Sequence, residues 1–402
     1  MRNLTLVGNI RGFGVVQIRE VELDRLAQAA QDRGRVQGAT HRFYRYPARF
    51  SPLFVKTAIE QFTKPGDLVF DPFVGGGTSV VEAMRLGRDA VGFDINELAL
   101  FISEVKTTPL PKTDLDRLRQ WADEVPSIIN LHERVEWDEE REAAGYFRNL
   151  EVHGAWRHRK AIQQVLDSIL LLPRPAMREF ARCALLRTAQ IALDGTRVPA
   201  PIGVFRRKLQ SNIVDMIDDL EELEVELSAL DRKGQVTLVK RPAQEADSAD
   251  VFGERAPKLI LTSPPYPGVH VLYHRWQIGG RRETPAPYWI ANKLDGDGER
   301  YYTLGNRHEK GLATYFDNLK ASFEAIAKIS GPETTIVQMV AFSQPEWQLE
   351  KYLSTLEDAG LREVQADPDD RLWRDVPNRR WHALNQSKHS SSKELVLIHR
   401  RA

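Results

Sequence analysis

The sequence has 402 residues, with 56 basic residues (Lys and Arg), 56 acidic residues (Asp and Glu) and 42% hydrophobic residues. This balance is typical of a folded, water-soluble protein, and it excludes both wholesale disorder and a uniformly basic coat for nucleic acid. No apolar run reaches the roughly 18 residues that a membrane span needs, and the N-terminus lacks the pattern of a secretory signal, so we expect a cytoplasmic protein without membrane contact.

The chain begins with an N-terminal extension, residues 1–40, that carries no recognisable chemistry. Residues 4–18 are prone to form β-structure, and the following VELDRLAQAAQDRG has the apolar spacing of a helix. Pro47 and Pro52 then mark a loop before an amphipathic helix, which ends at a turn over residues 65–66.

The next segment has the pattern of a βαβ unit. DLVFDPF is predicted to be a strand, VGGGT a glycine turn, and SVVEAMRLG a helix that Gly87 can cap. RDAVGFDI is predicted to be a second strand that ends in Asp94. Such a unit predicts a parallel sheet with a ligand at the carboxyl ends of its strands.

The middle of the chain is predicted to be helical from about residue 97 to 233, which is too long for one crossover between strands. We interpret residues 111–231 as a helical insertion. Its last helix has an apolar seam at heptad spacing, formed by Ile213, Met216, Leu220, Leu223, Leu227 and Leu230. The seam can pack against its own domain or against a second copy, so a monomer and a homodimer both stay open. The outer face should point away from nucleic acid because it is acidic, with Asp215, Asp218, Asp219, Glu221, Glu222 and Glu226.

Cys183 is the single cysteine, so an intrachain disulfide and a zinc site built from cysteines are excluded, and no metal site is expected. It lies in REFARCALLRTAQIAL, where apolar residues recur at helical spacing. This pattern predicts a buried core thiol rather than a nucleophile, which would favour an exposed, electropositive turn.

The strand pattern resumes after the insertion. QVTLVKR, KLILTSPPY and TTIVQMVAF are predicted to contain strands, with the helix YFDNLKASFEAIAKIS before the last of them. A helix over residues 346–359 and two strand-like runs, LREVQA and KELVLIHR, close the chain. The alternation of strands and helices predicts an α/β fold.

The glycine turn DPFVGGGT connects the first strand of the βαβ unit to its helix. Glycines let the backbone approach a ligand closely, and a helix N-terminus has unpaired N–H groups. The turn lacks the G-x-G-x-x-G spacing of a dinucleotide site and the lysine of a P-loop. Asp71 is a candidate for binding the amino group of a cationic ligand, and Asp94 for binding a pair of ribose hydroxyls. Together they indicate a nucleoside ligand without a phosphate, although a purely structural turn stays open.

The Ser-Pro-Pro-Tyr turn at residues 263–266 is the second candidate site. Its two prolines fix φ and remove two backbone donors, so nearby carbonyls face outward as acceptors. Ser263 Oγ and the Pro264 carbonyl, followed by the Tyr266 ring, can grip a planar group that bears an NH₂. A proline-rich strand exit without a ligand is the alternative.

These motifs resemble those of the S-adenosylmethionine-dependent amino-methyltransferases of DNA, which modify cytosine N4 or adenine N6. Residues 71–78 are similar to the family's cofactor motif D-P-F-x-G-x-G-T, and residues 263–266 to its catalytic motif (D/N/S)-P-P-(Y/F/W). Residues 46–52, YPARFSP, are similar to a Y-P-A-K-F-x-P stretch that contacts the methionine part of the cofactor in a cytosine-N4 subset. The resemblance covers residues 41–110 and about 235–402.

The resemblance implies a Rossmann-like class I methyltransferase fold, in which a mostly parallel sheet with an antiparallel last strand carries the helical insertion. The catalytic domain would comprise residues 41–110 and 232–402. S-adenosyl-L-methionine is the implied cofactor, and double-stranded DNA is the implied partner, in a restriction-modification role beside a cognate restriction endonuclease. The implied catalytic residues are Ser263, Pro264, Pro265 and Tyr266. The implied cofactor-binding residues are Phe50, Ser51, Asp71, Pro72, Phe73, Gly75, Gly77, Thr78, Asp94 and Ile95.

The implied chemistry is methylation of an exocyclic amine, a poor nucleophile because its lone pair is delocalised into the ring. Ser263 Oγ and the Pro264 carbonyl can accept its two N–H groups and stabilise the developing charge. The base would be flipped out and stacked on Tyr266, and the methyl group would pass in line without a covalent intermediate. By resemblance, serine at position 263 favours cytosine N4. Three alternative functions stay open: methylation of adenine N6, methylation of an amino group in RNA, and a nucleic-acid-binding module without catalysis.

Target recognition is assigned either to the insertion or to the long stretch after Tyr266. The family's acidic residue beside the cofactor adenine has two candidates after the third strand, Glu245 and Asp247, and neither matches cleanly.

His270, His274 and His308 lack metal-ligand spacing and are predicted to be structural. Basic residues with interleaved Trp or His are candidates for DNA contact: Arg157, His158, Arg159, Lys160, Arg206, Arg207, Lys208, Arg275, Arg281, Arg282, Arg379, Arg380 and Trp381.

Overall fold

The computed structural model describes residues 20–32, 34, 38–46, 49–151, 154–267, 275–280, 282–296, 304–305, 309–364, 371–375 and 393–402. Several predictions lie outside these residues: the β-prone segment 4–18, the loop residue Pro47, the histidines at 270, 274 and 308, and the basic residues at 281, 379 and 380 with Trp381.

Strands and helices alternate along the described chain, as the sequence predicts. The strands are β1 Leu68–Asp71, β2 Asp89–Asp94, β3 Val236–Lys240, β4 Leu259–Thr262, β5 Trp276–Ile278, β6 Arg282–Thr284, β7 Thr335–Val340, β8 Leu361–Glu363, β9 Leu372–Asp375 and β10 Lys393–Arg401. The α-helices are α1 Glu20–Ala30, α2 Pro52–Phe62, α3 Thr78–Arg85, α4 Glu97–Thr107, α5 Lys112–Ile128, α6 Glu139–Ala143, α7 Trp156–Ile169, α8 Pro175–Leu193, α9 Ile202–Ser228, α10 Ala286–Ala291, α11 Glu309–Ile329 and α12 Pro345–Asp358. Within the described residues, no helix has the length and apolar character needed to cross a membrane.

The main sheet has the strand order β3-β2-β1-β4-β7-β10-β8, and β9 also pairs with β10. Neighbouring strands from β3 to β7 are parallel, while β10 runs antiparallel to β7, β8 and β9. The predicted sheet, mostly parallel with an antiparallel last strand, is therefore confirmed. The sequence does not predict β9 or the separate β5–β6 hairpin, because these strands are only three or four residues long.

The central strands are buried on both faces because they are apolar almost throughout. Every residue of β1, β4 and β7 is buried. Successive residues of β1 enter different apolar clusters: Phe70 packs with Phe93 and Tyr315 on one face, and Val69 packs with Phe54 on the other. Since helices cover both faces, a ligand can reach this sheet at the ends of its strands.

The helices of the predicted insertion pack directly on neighbouring parts of the chain. A third apolar cluster joins them to residues 39–44 and 276–291. The seam of α9 lies inside this cluster, and five of its residues are almost fully buried: Ile213, Met216, Leu220, Leu223 and Leu227. Packing of the seam against its own chain is thus confirmed, and the same surface is not available to a second copy. The boundaries of the insertion at residues 111 and 231 stay a prediction.

Asp219 corrects the prediction that the acidic residues of α9 share one outer face. Its side chain is buried, at 2% exposure, and accepts a hydrogen bond from Arg42 Nε at 3.0 Å. Arg42 belongs to a short 3₁₀ helix, Ala39–Phe43, that packs against α9. A partner far away in sequence neutralises Asp219, which the acidic pattern of the helix alone cannot reveal.

Cys183 lies in α8 and is fully buried, as the sequence predicts. Burial raises the pKa of its thiol to about 12. Because the thiolate is the reactive form, we expect the native protein to react very slowly with Ellman's reagent, and the denatured chain to release one equivalent of chromophore. Rapid labelling of the native protein would contradict this burial.

Candidate active site

The glycine turn and the Ser-Pro-Pro-Tyr turn leave the main sheet side by side. β1 and β4 are parallel neighbours, with Phe70 opposite Ile260, so both strands end at the same edge. The Thr262 hydroxyl donates to Asp71 Oδ1 at 3.0 Å and joins the last residues of the two strands. Asp71 and Thr262 are 191 positions apart in the sequence, so the structure brings together two motifs that are distant along the chain.

Asp71 holds this junction together. Its Oδ1 also accepts from the backbone N–H of Phe73 at 3.1 Å, and its Oδ2 accepts from the Ser79 hydroxyl. The side chain is buried, and burial raises the pKa of the carboxyl to about 6 although three donors face it. Contact between Asp71 and the amino group of a ligand stays a prediction. The structure adds a positioning role, because Asp71 fixes the glycine turn to the end of β4.

Packing within the protein requires the glycines of the turn. Gly77 has a φ of +77°, and a Cβ at this position would lie 2.6 Å from Ser103 Oγ. A Cβ on Gly76 would lie 2.8 Å from the Cβ of Tyr46, and Lys106 Nζ donates to the Gly76 carbonyl at 2.6 Å. The turn is thus held between α4 and the stretch that resembles the family's methionine-binding segment.

Gly77→Ala is expected to lower the free energy of unfolding by about 2–4 kcal/mol, because a left-handed backbone conformation and a steric clash add together. Gly145→Ala is the matched control, since Gly145 has a φ of +78° but nothing within 4 Å of the added Cβ. We expect it to cost only the backbone share, about 1–2 kcal/mol. Chemical denaturation of both variants measures the difference, and equal losses would contradict the tight contact with Ser103.

Asp94 ends β2 beside the glycine turn. Its Oδ2 accepts from the backbone N–H of Gly75 at 2.9 Å, and its Oδ1 accepts from the backbone N–H of Asn96 at 2.9 Å. The side chain is half-buried, and burial raises the pKa of the carboxyl to about 6. The backbone N–H of Ile95 also donates to this carboxylate, and a carboxylate has about four lone-pair positions, so acceptor capacity remains for a ligand. This set of acceptors fits the two ribose hydroxyls of a nucleoside.

Sequence reasoning missed Lys106 as part of the site. It lies on α4, is 1% exposed and supports the turn through Gly76. Burial, and then the nearby charge of Arg49, lowers the pKa of its amine to about 7. The only sequence signal is a lysine within the largely apolar helix ELALFISEVKT, which is also common for a lysine that reaches solvent.

The remaining predicted cofactor residues lie in or near the turn. Pro72, Phe73 and Thr78 are part of it, and Ile95 follows β2. Phe50 is 6% exposed and packs in an apolar cluster. The Ser51 hydroxyl donates to Asp32 Oδ2 at 2.9 Å. Contact of these side chains with a cofactor stays a prediction.

The acidic residue expected beside the cofactor adenine remains unassigned. Asp247 accepts from Lys328 Nζ at 2.8 Å, and Glu245 lies 3.9 Å from Arg241. Both acidic residues are on a short 3₁₀ helix, Ala243–Ser248, after β3.

The Ser-Pro-Pro-Tyr turn is anchored by hydrogen bonds to two other strands. Ser263 Oγ donates to the Met339 carbonyl of β7 at 2.9 Å and lies 3.1 Å from the Tyr266 hydroxyl. The Tyr266 hydroxyl donates to Glu394 Oε1 of β10 at 2.9 Å. Arg374 of β9 in turn pairs with Glu394 through Nε at 2.9 Å. Two of the four predicted catalytic residues, Ser263 and Tyr266, therefore begin a polar network that runs into the sheet.

The second proline of this turn is also fixed. Tyr315 of α11 is buried and donates its hydroxyl to the Pro265 carbonyl at 2.8 Å. No described residue donates to the Pro264 carbonyl. Pro264 therefore keeps the free acceptor that its predicted role requires.

Two of the predicted DNA-contact residues are buried, so these two predictions are wrong. His158 is 2% exposed and Arg159 is 6% exposed. The Arg159 guanidinium lies 4.0 Å from the centre of the Trp137 ring and pairs with Glu142 at 2.9 Å. The physical reason is that α7 turns this side of the helix toward the helical core, which the run of charges in GAWRHRK conceals.

The other basic candidates differ in exposure. Arg275 is paired with Asp295 at 2.9 Å, and the guanidinium of Arg206 donates to the Ile129 carbonyl. Three arginines expose their side chains to solvent: Arg157, Arg207 and Arg282. These three stay candidates for contact with phosphates.

Residues 23–104 match a family model described as DNA methylase, for enzymes that modify N6 or N4 amino groups. The type II methyltransferase M.MvaI of Kocuria varians is 37% identical over 106 residues, which are 24% of this chain and 23% of that protein. The type II methyltransferase M.MjaII of Methanocaldococcus jannaschii is 34% identical over 80 residues, 20% of this chain and 14% of that protein. The matches thus span less than a quarter of these relatives.

The resemblance found in the sequence is confirmed for this part of the chain. Residues 23–104, which include the glycine turn and Asp94, are similar to the S-adenosylmethionine-dependent amino-methyltransferases of the N4/N6 family. S-adenosyl-L-methionine is the cofactor that the family implies, and the acceptors at Asp94 fit its ribose.

Proposed function

We propose that this protein is a site-specific DNA methyltransferase that moves a methyl group from S-adenosyl-L-methionine to the exocyclic N4 of cytosine, by base flipping and direct in-line transfer. The observation that carries the proposal is the 3.0 Å hydrogen bond between Thr262 and Asp71, which joins the cofactor turn to the Ser-Pro-Pro-Tyr turn. The description of the matching family model, DNA methylase, supports DNA as the substrate.

The cofactor would lie over the glycine turn. When bound, S-adenosylmethionine supplies a methyl group on a positively charged sulfur. Asp94 would accept the ribose hydroxyls through the acceptor capacity that its backbone donors leave. The stretch 46–52 would contact the methionine part, as its similarity to the family suggests. Asp71 would keep this turn at a fixed distance from Ser263.

Ser263 would act as an acceptor for the target amine. Its hydroxyl has one proton and two acceptors within reach, the Met339 carbonyl and the Tyr266 oxygen. Whichever of them takes the proton, the lone pairs of Ser263 Oγ remain for an N–H of the substrate. The Pro264 carbonyl would accept the second N–H. The two acceptors lie on a rigid turn, so they would stabilise positive charge at the nitrogen without reorganisation.

Tyr266 would provide the surface on which the flipped base stacks. Its ring is partly buried against the apolar cluster on one face of the sheet, and its hydroxyl is held by Glu394. Extrusion of a base costs a few kcal/mol, which stacking on the ring would offset.

Adenine N6 is the second candidate acceptor. Cytosine is favoured by two resemblances: that of Ser263 to the serine of the cytosine-N4 group, and that of residues 46–52 to a stretch of a cytosine-N4 subset. Incubation with cofactor labelled in the methyl group, mixed DNA and mixed RNA, followed by nucleoside chromatography, separates the candidates. Label in N4-methylcytosine supports the proposal, and label in N6-methyladenine moves it to adenine. Label only in RNA, or cofactor binding without transfer, would overturn it.

Several predictions about the whole protein rest on this proposal. Double-stranded DNA would be the partner, and a restriction endonuclease would act on the same site. The helical residues 111–231 or the stretch after Tyr266 would recognise the target sequence. The oligomeric state, monomer or homodimer, and the location in the cytoplasm stay predictions. Protection of plasmid DNA from a panel of endonucleases tests the restriction-modification role.

A further inference from the structure

A chain of hydrogen bonds leads from Ser263 into the sheet. Ser263 Oγ lies 3.1 Å from the Tyr266 hydroxyl, and this hydroxyl lies 2.9 Å from Glu394 Oε1. The two hydroxyls can each pass on one proton in the same direction, and the carboxylate at the end can accept one. We propose that this chain carries the proton released by the methylated amine from Ser263 through Tyr266 to Glu394.

The terminal acceptor is held in place from the side away from Tyr266. Glu394 is 4% exposed and lies near the start of β10, opposite Arg374 in the antiparallel pair with β9. Arg374 Nε lies 2.9 Å from Glu394 Oε2, so each oxygen of the carboxylate has a different neighbour. Arg374 contacts Oε2, which leaves Oε1 directed at the Tyr266 hydroxyl.

The proposed function requires such a path, and the inference rests on it. As the methyl group arrives, the N–C bond forms, the C–S bond breaks, and its electron pair stays on sulfur. The nitrogen then carries one proton too many. That proton passes to Ser263 Oγ, the Ser263 proton passes to the Tyr266 oxygen, and the Tyr266 proton passes to Glu394 Oε1. After the product leaves, the same path in reverse returns the proton to water.

A purely structural role of Glu394 makes a different prediction. If Glu394 only orients the Tyr266 ring, glutamine at this position can still accept the hydrogen bond from the Tyr266 hydroxyl. Glutamine cannot take up the proton. Glu394→Gln therefore separates a positioning residue that receives a proton from one that only fixes geometry.

The test is single-turnover methyl transfer to duplex DNA at saturating labelled cofactor. We expect Glu394→Gln to lower this rate by about 10²-fold, the usual size of a general acid–base contribution, while the Kd values for cofactor and DNA stay unchanged. Glu363→Gln is the matched control, because Glu363 pairs with Arg371 at 2.9 Å on the same sheet but does not contact the turn. We expect it to retain the wild-type rate.

Two further variants cover a failure of Glu394→Gln to fold. Tyr266→Phe keeps the stacking ring and removes the middle of the path, so its loss should equal that of Glu394→Gln, and the double variant should lose no more than either. Glu394→Asp keeps a carboxylate and should recover part of the rate. A wild-type rate in Glu394→Gln or in Tyr266→Phe, or additive losses in the double variant, would overturn the proton path. Absence of transfer by the wild-type protein would instead overturn the proposed function.

Discussion

Ser263→Ala is expected to slow methyl transfer by about 10²–10³-fold and to leave cofactor affinity unchanged. This is the usual cost of removing one fixed dipole directed at developing charge. Ser263 Oγ is held between Met339 and Tyr266, so its lone pairs have a defined direction. Alanine removes the acceptor but keeps the turn, because both prolines and the Tyr315 hydrogen bond to Pro265 remain.

The measurement combines single-turnover transfer with calorimetric titration of S-adenosylmethionine. Ser343→Ala is the matched control, since the Ser343 hydroxyl donates to the Pro267 carbonyl at 3.2 Å, just beyond the turn, and has no predicted contact with the base. We expect the control to transfer methyl groups at nearly the wild-type rate. Equal rates for Ser263→Ala and the wild-type protein would remove this hydroxyl from the mechanism.

The parts of the site that sequence could predict are those set by local backbone chemistry. The turns DPFVGGGT and SPPY can be recognised because glycine and proline determine φ within a few residues. Their strands are recognised by short apolar runs, and parallel pairing then places both turns at one edge. The sheet and the juxtaposition of the two turns, joined by Asp71 and Thr262, follow from such signals.

The parts that sequence could not predict depend on partners far apart in the chain. Glu394 is the single acidic residue in the run KELVLIHR, and nothing near it indicates Tyr266 or Arg374 as its partners. Lys106 and Asp219 likewise have the periodicity of ordinary helix residues but are buried against distant groups. Arg159 misled the sequence analysis for the same reason, because its carboxylate and aromatic neighbours come from another segment.

Asp94→Ala is expected to have the reverse effect of Ser263→Ala: it weakens cofactor binding by about 10–100-fold and leaves transfer at saturating cofactor largely unchanged. Loss of hydrogen bonds to a charged acceptor costs about 1.5–3 kcal/mol, and 1.4 kcal/mol corresponds to a tenfold change in Kd. The alanine also leaves the N–H of Gly75 without its acceptor, so the turn itself loses a restraint. Asp94→Asn keeps one acceptor oxygen and should lose less affinity.

The pH dependence gives an independent check on Asp94. Burial raises the pKa of its carboxyl to about 6, so the carboxylate that accepts ribose hydroxyls is present above about pH 6 and is lost as the pH falls through this value. Cofactor affinity should therefore be full at pH 8 and decline below about pH 6. Asp71 titrates in the same range, so Asp94→Asn should flatten this decline only in part.

Asp67→Asn is the control, because Asp67 accepts a hydrogen bond from the Lys64 N–H at the opposite end of β1, and this variant should keep the full wild-type pH profile. If Asp94→Asn retained wild-type affinity and an unchanged pH profile in calorimetric titrations, Asp94 would not bind the ribose, and the cofactor would need another acceptor at this edge of the sheet.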